Sequence, residues 1–194
     1  MCGRYLFEND TQHQTLNQLM GALSNDIPAT SIPMGEIAPS MRVPVLTAPN
    51  ASMTQSWGFP RADGRGLLIN ARAETADSKP AFRQNLLHRR CAVPCTGFFE
   101  WDHNKQKYRF TLPGHSFFYL AGIYQFFENQ PHFVILTTSA NASISDIHDR
   151  MPVVLNSDQC LEWLCDTDAA LHILKQEAAL LARHCDAPEQ MTLW

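Results

Sequence analysis

An α+β fold, with a mainly antiparallel, barrel-like β-sheet core flanked by helices, is predicted by two features of the sequence. Apolar and aromatic runs separated by turn residues at hairpin spacing fill the middle of the chain. Helical periodicity is confined to its two ends. Near the start, Asn9, Asp10 and Thr11 offer N-caps for a first helix, and Leu16, Leu19, Met20 and Leu23 share one of its faces. Pro28, Pro33, Pro39 and Pro44 then hold the chain to loops and short extended pieces. Strands are predicted over residues 43–46, 53–59 and 67–70, around the turn-rich Pro49-Asn50 and Ala62-Asp63-Gly64. Pro80, suited to a first helical turn, starts a short helix through about Leu87.

The β-rich middle comprises residues 91–101, 108–111, 117–126 and 133–138. Asp102-His103-Asn104, Pro113-Gly114 and Glu128-Asn129-Gln130-Pro131 separate these runs as turns. A polar loop over 139–145 leads to Asp146-Ile147-His148-Asp149-Arg150 and a last short strand over 151–155. Asn156 caps a helix over 157–164, and Thr167 starts another that runs to about His184. With neither repeat nor linker, the 194 residues are expected to form one domain, 1–194.

Composition narrows the function. A chain 45 % apolar and 18 % charged is globular in type. Its apolar runs are too short to span a membrane, and no secretory signal follows Met1-Cys2-Gly3-Arg4. A cytoplasmic monomer is expected, with its six cysteines as free thiols. Cys91, Cys95, Cys160 and Cys165 lie among apolar residues and read as small hydrophobes. Their spacing does not reproduce paired Cys-x-x-Cys, so no metal and no cofactor are expected. The net charge of −4 argues against a general DNA coater, which would be basic. Any nucleic-acid contact must come from local arginines or from covalent chemistry.

Four places could carry that chemistry. Removal of Met1 would leave Cys2 as a free 1,2-aminothiol, whose α-amine titrates near about 8 and is therefore partly unprotonated at neutral pH. Such a group condenses with an aldehyde to an imine, and the thiol then closes a thiazolidine. Glu100 ends the apolar run Gly97-Phe98-Phe99-Glu100-Trp101, where burial would raise its pKa and suit it to proton transfer. His148 is flanked by carboxylates that set its tautomer and basicity. Strand alternation puts Asn70 and Arg72 on one face, an amide to orient an amine and a guanidinium to hold a phosphate. Each also has a plainer role: an incidental cysteine, a structural ion pair of Glu100 with Arg72, a solvated histidine, an unremarkable surface strand.

The motifs taken together resemble one family. Met1-Cys2-Gly3-Arg4-Tyr5, Ala38-Pro39, Trp57-Gly58, Ile69-Asn70-Ala71-Arg72-Ala73-Glu74-Thr75, Gly97-Phe98-Phe99-Glu100-Trp101, Thr137-Thr138 to Ala140-Asn141, and Ile147-His148-Asp149-Arg150-Met151-Pro152 occur in the order seen in SRAP proteins, the SOS-response-associated peptidases. The resemblance runs from residue 1 to about Trp163 and implies a single SRAP domain. It implies an abasic-site processing protein of the DNA damage response, which links covalently, as a thiazolidine, to abasic sites in single-stranded DNA and so shields them. On it, Cys2 is the nucleophile, Asn70 positions its amine, and Glu100 and His148 move protons. Arg4, Arg72 and Arg150 hold phosphates, while Pro39 and Trp101 line the DNA groove. It further implies a crosslinking, lyase-type activity, a self-processing peptidase step ahead of Cys2, and a nucleoid-associated location when engaged in a bacterial cell. The family usually has Asn where this chain has Glu36, a carboxylate that would weaken a DNA contact. It also continues past the point where this sequence stops.

Two other classes compete. Met-Cys-Gly also opens N-terminal-nucleophile glutamine amidotransferases, in which the amine serves as base and the thiol attacks an amide. No Asn-Gly-Asp segment of the kind that binds glutamine there is present. A non-catalytic single-stranded DNA module would use Trp57 and Trp101 as stacking platforms.

Overall fold

The computed structural model describes residues 2–8 and 32–185, so the first helix expected after Asn9 lies outside the described residues. The first strands are β1 (Tyr5–Phe7), β2 (Gly35–Ile37), β3 (Arg42–Ala48), β4 (Ala51–Trp57), β5 (Phe59–Pro60), β6 (Leu67–Leu68) and β7 (Asn70–Arg72). Helices α1 (Ala73–Ala76) and α2 (Pro80–His88) follow, then β8 (Arg90–Cys95), β9 (Gly97–Trp101), β10 (Lys107–Thr111), β11 (Phe118–Phe127) and β12 (Gln130–Ser139). The described chain ends with β13 (Arg150–Pro152), β14 (Val154–Leu155), α3 (Ser157–Cys165), α4 (Thr167–Ile173) and β15 (Ala182–Cys185).

The larger sheet closes on itself. Hydrogen-bonded neighbours run β12, β4, β3, β8, β11, and β11 returns to β12 through the register Gly122↔Ile135 to Phe127↔Gln130. A five-stranded barrel results, with β7, β13 and β14 extending its edges. Pairing is antiparallel except where β12 meets β4 and β7. The β11–β12 hairpin turns on Glu128 and Asn129, both at positive φ (48° and 63°), the geometry whose twist matches the flanking strands. Closure leaves β8, β11 and β12 walled in, and Val93, Leu120, Ile123, Val134, Ile135 and Leu136 have no exposure. A second sheet, ordered β15-β10-β9-β1-β2, carries Phe98 stacked on Phe110 at 5.3 Å.

One apolar run links the two sheets. Residues 91–101 read as a single strand in the sequence but divide at Thr96 into β8 of the barrel and β9 of the second sheet. Thr96 fixes the corner: its N–H donates to Leu6 O at 2.8 Å, and its hydroxyl accepts from Glu8 N at 3.2 Å. Residues 151–155 likewise divide, because β13 pairs with β12 while β14 pairs with β11.

The helices brace the barrel from outside. Asn156 and Gln159 form a reciprocal capping box that starts α3, which buries Trp163 against β8 with its indole N–H on Cys91 O at 2.9 Å. Buried Arg90 donates to Trp163 O, Leu86 O and Leu87 O, tying the end of α2 to α3. The last helix is shorter than expected. Its cap is Asp166, which accepts from Asp168 N and Ala169 N, and it stops at Ile173. The chain then returns as β15 on the open edge of β10. Edge pairing there outweighs a helical periodicity that the sequence carries only weakly beyond Leu174. Two further expectations are corrected by burial. Cys165 is exposed, unlike Cys91, Cys95 and Cys160. Trp57 has no exposure, donates to Ile69 O at 3.0 Å and packs on Tyr5 and Phe133, so it cannot stack a base. Its neighbour Gly58 sits at φ +113°, where a Cβ would fall 2.9 Å from Leu67 Cβ.

Candidate active site

Sheet register assembles the site from four stretches of sequence. β1 pairs with β9 through Tyr5↔Phe98, and Phe99 N donates to Arg4 O at 2.9 Å, so the residues ahead of Tyr5 run beside Glu100 and Trp101. β7 lies parallel to β12, with Asn70 opposite Ile135. From there the buried Asn70 amide donates to Cys2 O at 2.9 Å. β13 joins the same strand through Ser139↔Arg150 and brings in the loop that carries His148. Buried Ile144 anchors that loop, His148 N donating to Ile144 O at 3.0 Å and Ala140 N to Asp149 O at 3.0 Å.

Burial governs the electrostatics. Cys2 has no exposure, and desolvation, reinforced by the nearby Glu100 charge, pushes its thiol well above the ordinary range. Its sulfur lies a long 3.9 Å from Arg4 O. Burial also raises Glu100 above the usual carboxylate range, with the His148 charge among the influences opposing it. Burial thus favours the neutral forms of both the thiol and the carboxyl. Asn70 Oδ1 is buried without a hydrogen-bond partner among the described residues.

His148 has two mutually exclusive partners on one nitrogen. Nδ1 lies 2.9 Å from the Arg150 backbone N–H and 2.9 Å from Asp149 Oδ1. The neutral ring accepts from Arg150 and so carries its proton on Nε2. A protonated ring exchanges that bond for the ion pair with Asp149, a tautomer assignment inferred from the network.

The groups expected to hold DNA, here called the rim, are all partly or fully exposed. Trp101 is 36 % exposed, and Arg72 is exposed. Pro39 is half-buried in a tight turn closed by Met41 N on Ala38 O, with Ser40 at φ 73°, the arrangement that favours proline at its second position. Arg4 and Arg150 are each engaged by a carboxylate. Arg150 forks onto Glu74 at 2.6 and 2.8 Å and donates to Thr137 O at 2.6 Å. Arg4 pairs with Glu36 at 3.3 Å.

The family model for SOS response associated peptidase (SRAP) matches residues 1–191. The chain belongs to the SRAP family. Relatives include the Bacillus subtilis protein named abasic site processing protein YoaM, 33 % identical over 84 % of this chain and 79 % of its own length. The Escherichia coli protein named abasic site processing protein YedK is 30 % identical over the same shares, 84 % and 79 %. A crystal structure of a Bacteroides thetaiotaomicron protein superposes with a TM-score of 0.77 at 23 % identity, covering 95 % of this chain and 91 % of that one, which shows the shared fold. Among the described residues no helix is long and apolar enough to cross a membrane.

Within this SRAP chain, the sequence missed the partners of its own arginines. Glu74 stands two residues beyond Arg72 in a recognised motif, yet only the β12–β13 pairing reveals that it takes Arg150. Lys107 was also passed over. It lies opposite Trp101 in the β9–β10 hairpin, with its ammonium 3.8 Å from the Phe99 ring centroid and 5.6 Å from that of Trp101. Counting back across the Asp102–Gln106 turn would have found it.

Proposed function

We propose that this protein processes abasic sites by forming a thiazolidine crosslink between Cys2 and the open-chain sugar in single-stranded DNA. The observation that carries this reading is the Asn70–Cys2 hydrogen bond, which holds the start of the chain close enough to Glu100 for the two groups to feel each other's charge. The abasic-site naming of the SRAP relatives supports it. No competing observation favours glutamine amidotransfer.

Each group has a place in the chemistry. With Met1 released, the Cys2 α-amine attacks the C1′ aldehyde, and Asn70 Oδ1 is available to accept one of its hydrogens. The carbinolamine loses water as a carboxyl proton from Glu100 passes to its oxygen. The Cys2 sulfur then bonds to the imine carbon, and its proton returns to Glu100. The balance is aldehyde plus aminothiol giving thiazolidine plus one water. His148, able to hold a proton on either nitrogen, serves ring-opening of the sugar and reversal. Arg4, Arg72 and Arg150 hold flanking phosphates, and Trp101 and Pro39 line the groove. The same reading includes release of Met1 by the protein itself, a peptidase step, and a single SRAP domain acting as a monomer.

The test is a denaturing gel after incubation with a single-stranded oligonucleotide bearing one abasic site. Wild-type protein gives a heat-stable band of protein plus DNA, and Cys2→Ala gives none. A heat-stable band of equal yield from Cys2→Ala overturns the mechanism.

A further inference from the structure

Glu36 occupies an unusual position between two cations. On β2 it is opposite Leu6 of β1, and its two oxygens serve different partners. Oε1 lies 3.3 Å from Arg4 Nε, while Oε2 contacts Lys107 Nζ directly. The side chains of Arg4, Glu36 and Lys107 are 37 %, 38 % and 28 % exposed, so all three reach solvent. Lys107 also lies over Phe99 and near the exposed face of Trp101. Arg4 is two residues from Cys2, and Trp101 follows Glu100 directly.

A carboxylate that offers one oxygen to each of two cations has the same recognition geometry as the two non-bridging oxygens of a phosphodiester. We infer that Glu36 is an internal stand-in for a DNA phosphate, and that it sets affinity by competing with the backbone for Arg4 and Lys107. The Arg4 contact is an ion pair without hydrogen-bond alignment, made by a buried Nε on a side chain that is otherwise partly exposed. Pairs this exposed contribute little to stability and exchange readily. The carboxylate therefore costs little to displace, but until it is displaced two cations of the rim are already neutralised. Single-stranded DNA lacking an abasic site is then held weakly, and residence long enough to react depends on the covalent step. Glu36 acts here as a specificity-determining residue and Lys107 as a phosphate contact.

The inference rests on the single-stranded DNA reading above, and two probes separate their failures. Binding of an unmodified single-stranded oligonucleotide, measured against salt, tests Glu36. Adduct formation with an abasic oligonucleotide by wild-type protein tests the crosslinking reading. Freeing two phosphate contacts predicts that Glu36→Gln binds the unmodified strand about 5–10-fold more tightly near 0.1 M salt, with a log K against log salt slope steeper by roughly 0.7–1.4. Lys107→Ala introduced into Glu36→Gln removes about half of that gain in slope. A merely structural Glu36 would leave the slope unmoved. If Glu36→Gln leaves affinity and slope unchanged, or weakens binding, the stand-in role is wrong. Should the slope steepen while wild type forms no adduct, Glu36 keeps its role and the crosslinking reading fails.

Discussion

The buried cluster around Cys2 and the charged rim around Trp101 are adjacent but obey different physics. Cys2, Asn70 and Glu100 are withdrawn from water, and burial raises the pKa of both the thiol and the carboxyl. The rim residues Arg4, Glu36, Lys107 and Arg72 stay solvated, and two of its arginines already hold carboxylates. Changes in the first region should switch the chemistry off. Changes in the second should shift affinity or stability by graded amounts that salt screens. On the crosslinking proposal, a net charge of −4 is compatible with DNA work because bond formation, rather than counterion release, supplies the commitment.

The largest effects should separate amine from thiol within the cluster. Cys2→Ser keeps the amine and loses the sulfur, so the heat-stable adduct should fall at least ~100-fold while borohydride still traps an imine. A heat-stable adduct at wild-type yield would dissolve the distinction between the two regions. Next, Glu100→Gln should slow adduct formation by about 100-fold, within the range of a lost proton-transfer group. The same variant makes a thermodynamic prediction. Because the folded carboxyl is raised, the native state binds more protons than the unfolded chain as pH rises above about 4.3. Wild-type stability should therefore decline relative to Glu100→Gln through that window, by up to about 1.4 kcal/mol per pH unit, and level off above the raised pKa. Denaturant titrations at several pH values would detect it.

Asn70→Ala should cost about 10-fold in adduct rate, through one lost hydrogen bond to Cys2 O, with folding retained. Rim effects should be smaller and of another kind. Arg150→Ala forfeits the fork onto Glu74 and the bond to Thr137 O, and thermal unfolding should show a loss of about 1–2 kcal/mol, discounted for the exposure of Glu74. Asn156→Ala, in the α3 capping box far from both regions in sequence, should lose about 1 kcal/mol without altering adduct rate.

The sequence made the cluster more legible than the rim. Cys2, Asn70, Glu100 and His148 each sit in a motif whose order resembled one family, and the apolar run ahead of Glu100 pointed to its burial. Although the strands expected over 53–59 and 67–70 each divide in two, those over 43–46, 108–111, 117–126 and 133–138 were similarly readable from turn chemistry. Sheet membership was not, since nothing local at Thr96 tells a reader that β8 and β9 enter different sheets. The rim was obscure for the same reason. The Arg150–Glu74 and Lys107–Glu36 pairs span 76 and 71 residues, and only tertiary register brings them together. The end of α4 failed differently: an open β10 edge recruited Ala182–Cys185 against a weak helical pattern.

Intact mass spectrometry of wild-type protein purified from cells, before and after mixing with an abasic single-stranded oligonucleotide, tests the central chemistry most directly. A species equal to the chain without Met1 plus the oligonucleotide, less one water, is the predicted result. A covalent product that still carries Met1, or a mature protein that retains it and forms no product, would contradict ring closure on the Cys2 amine.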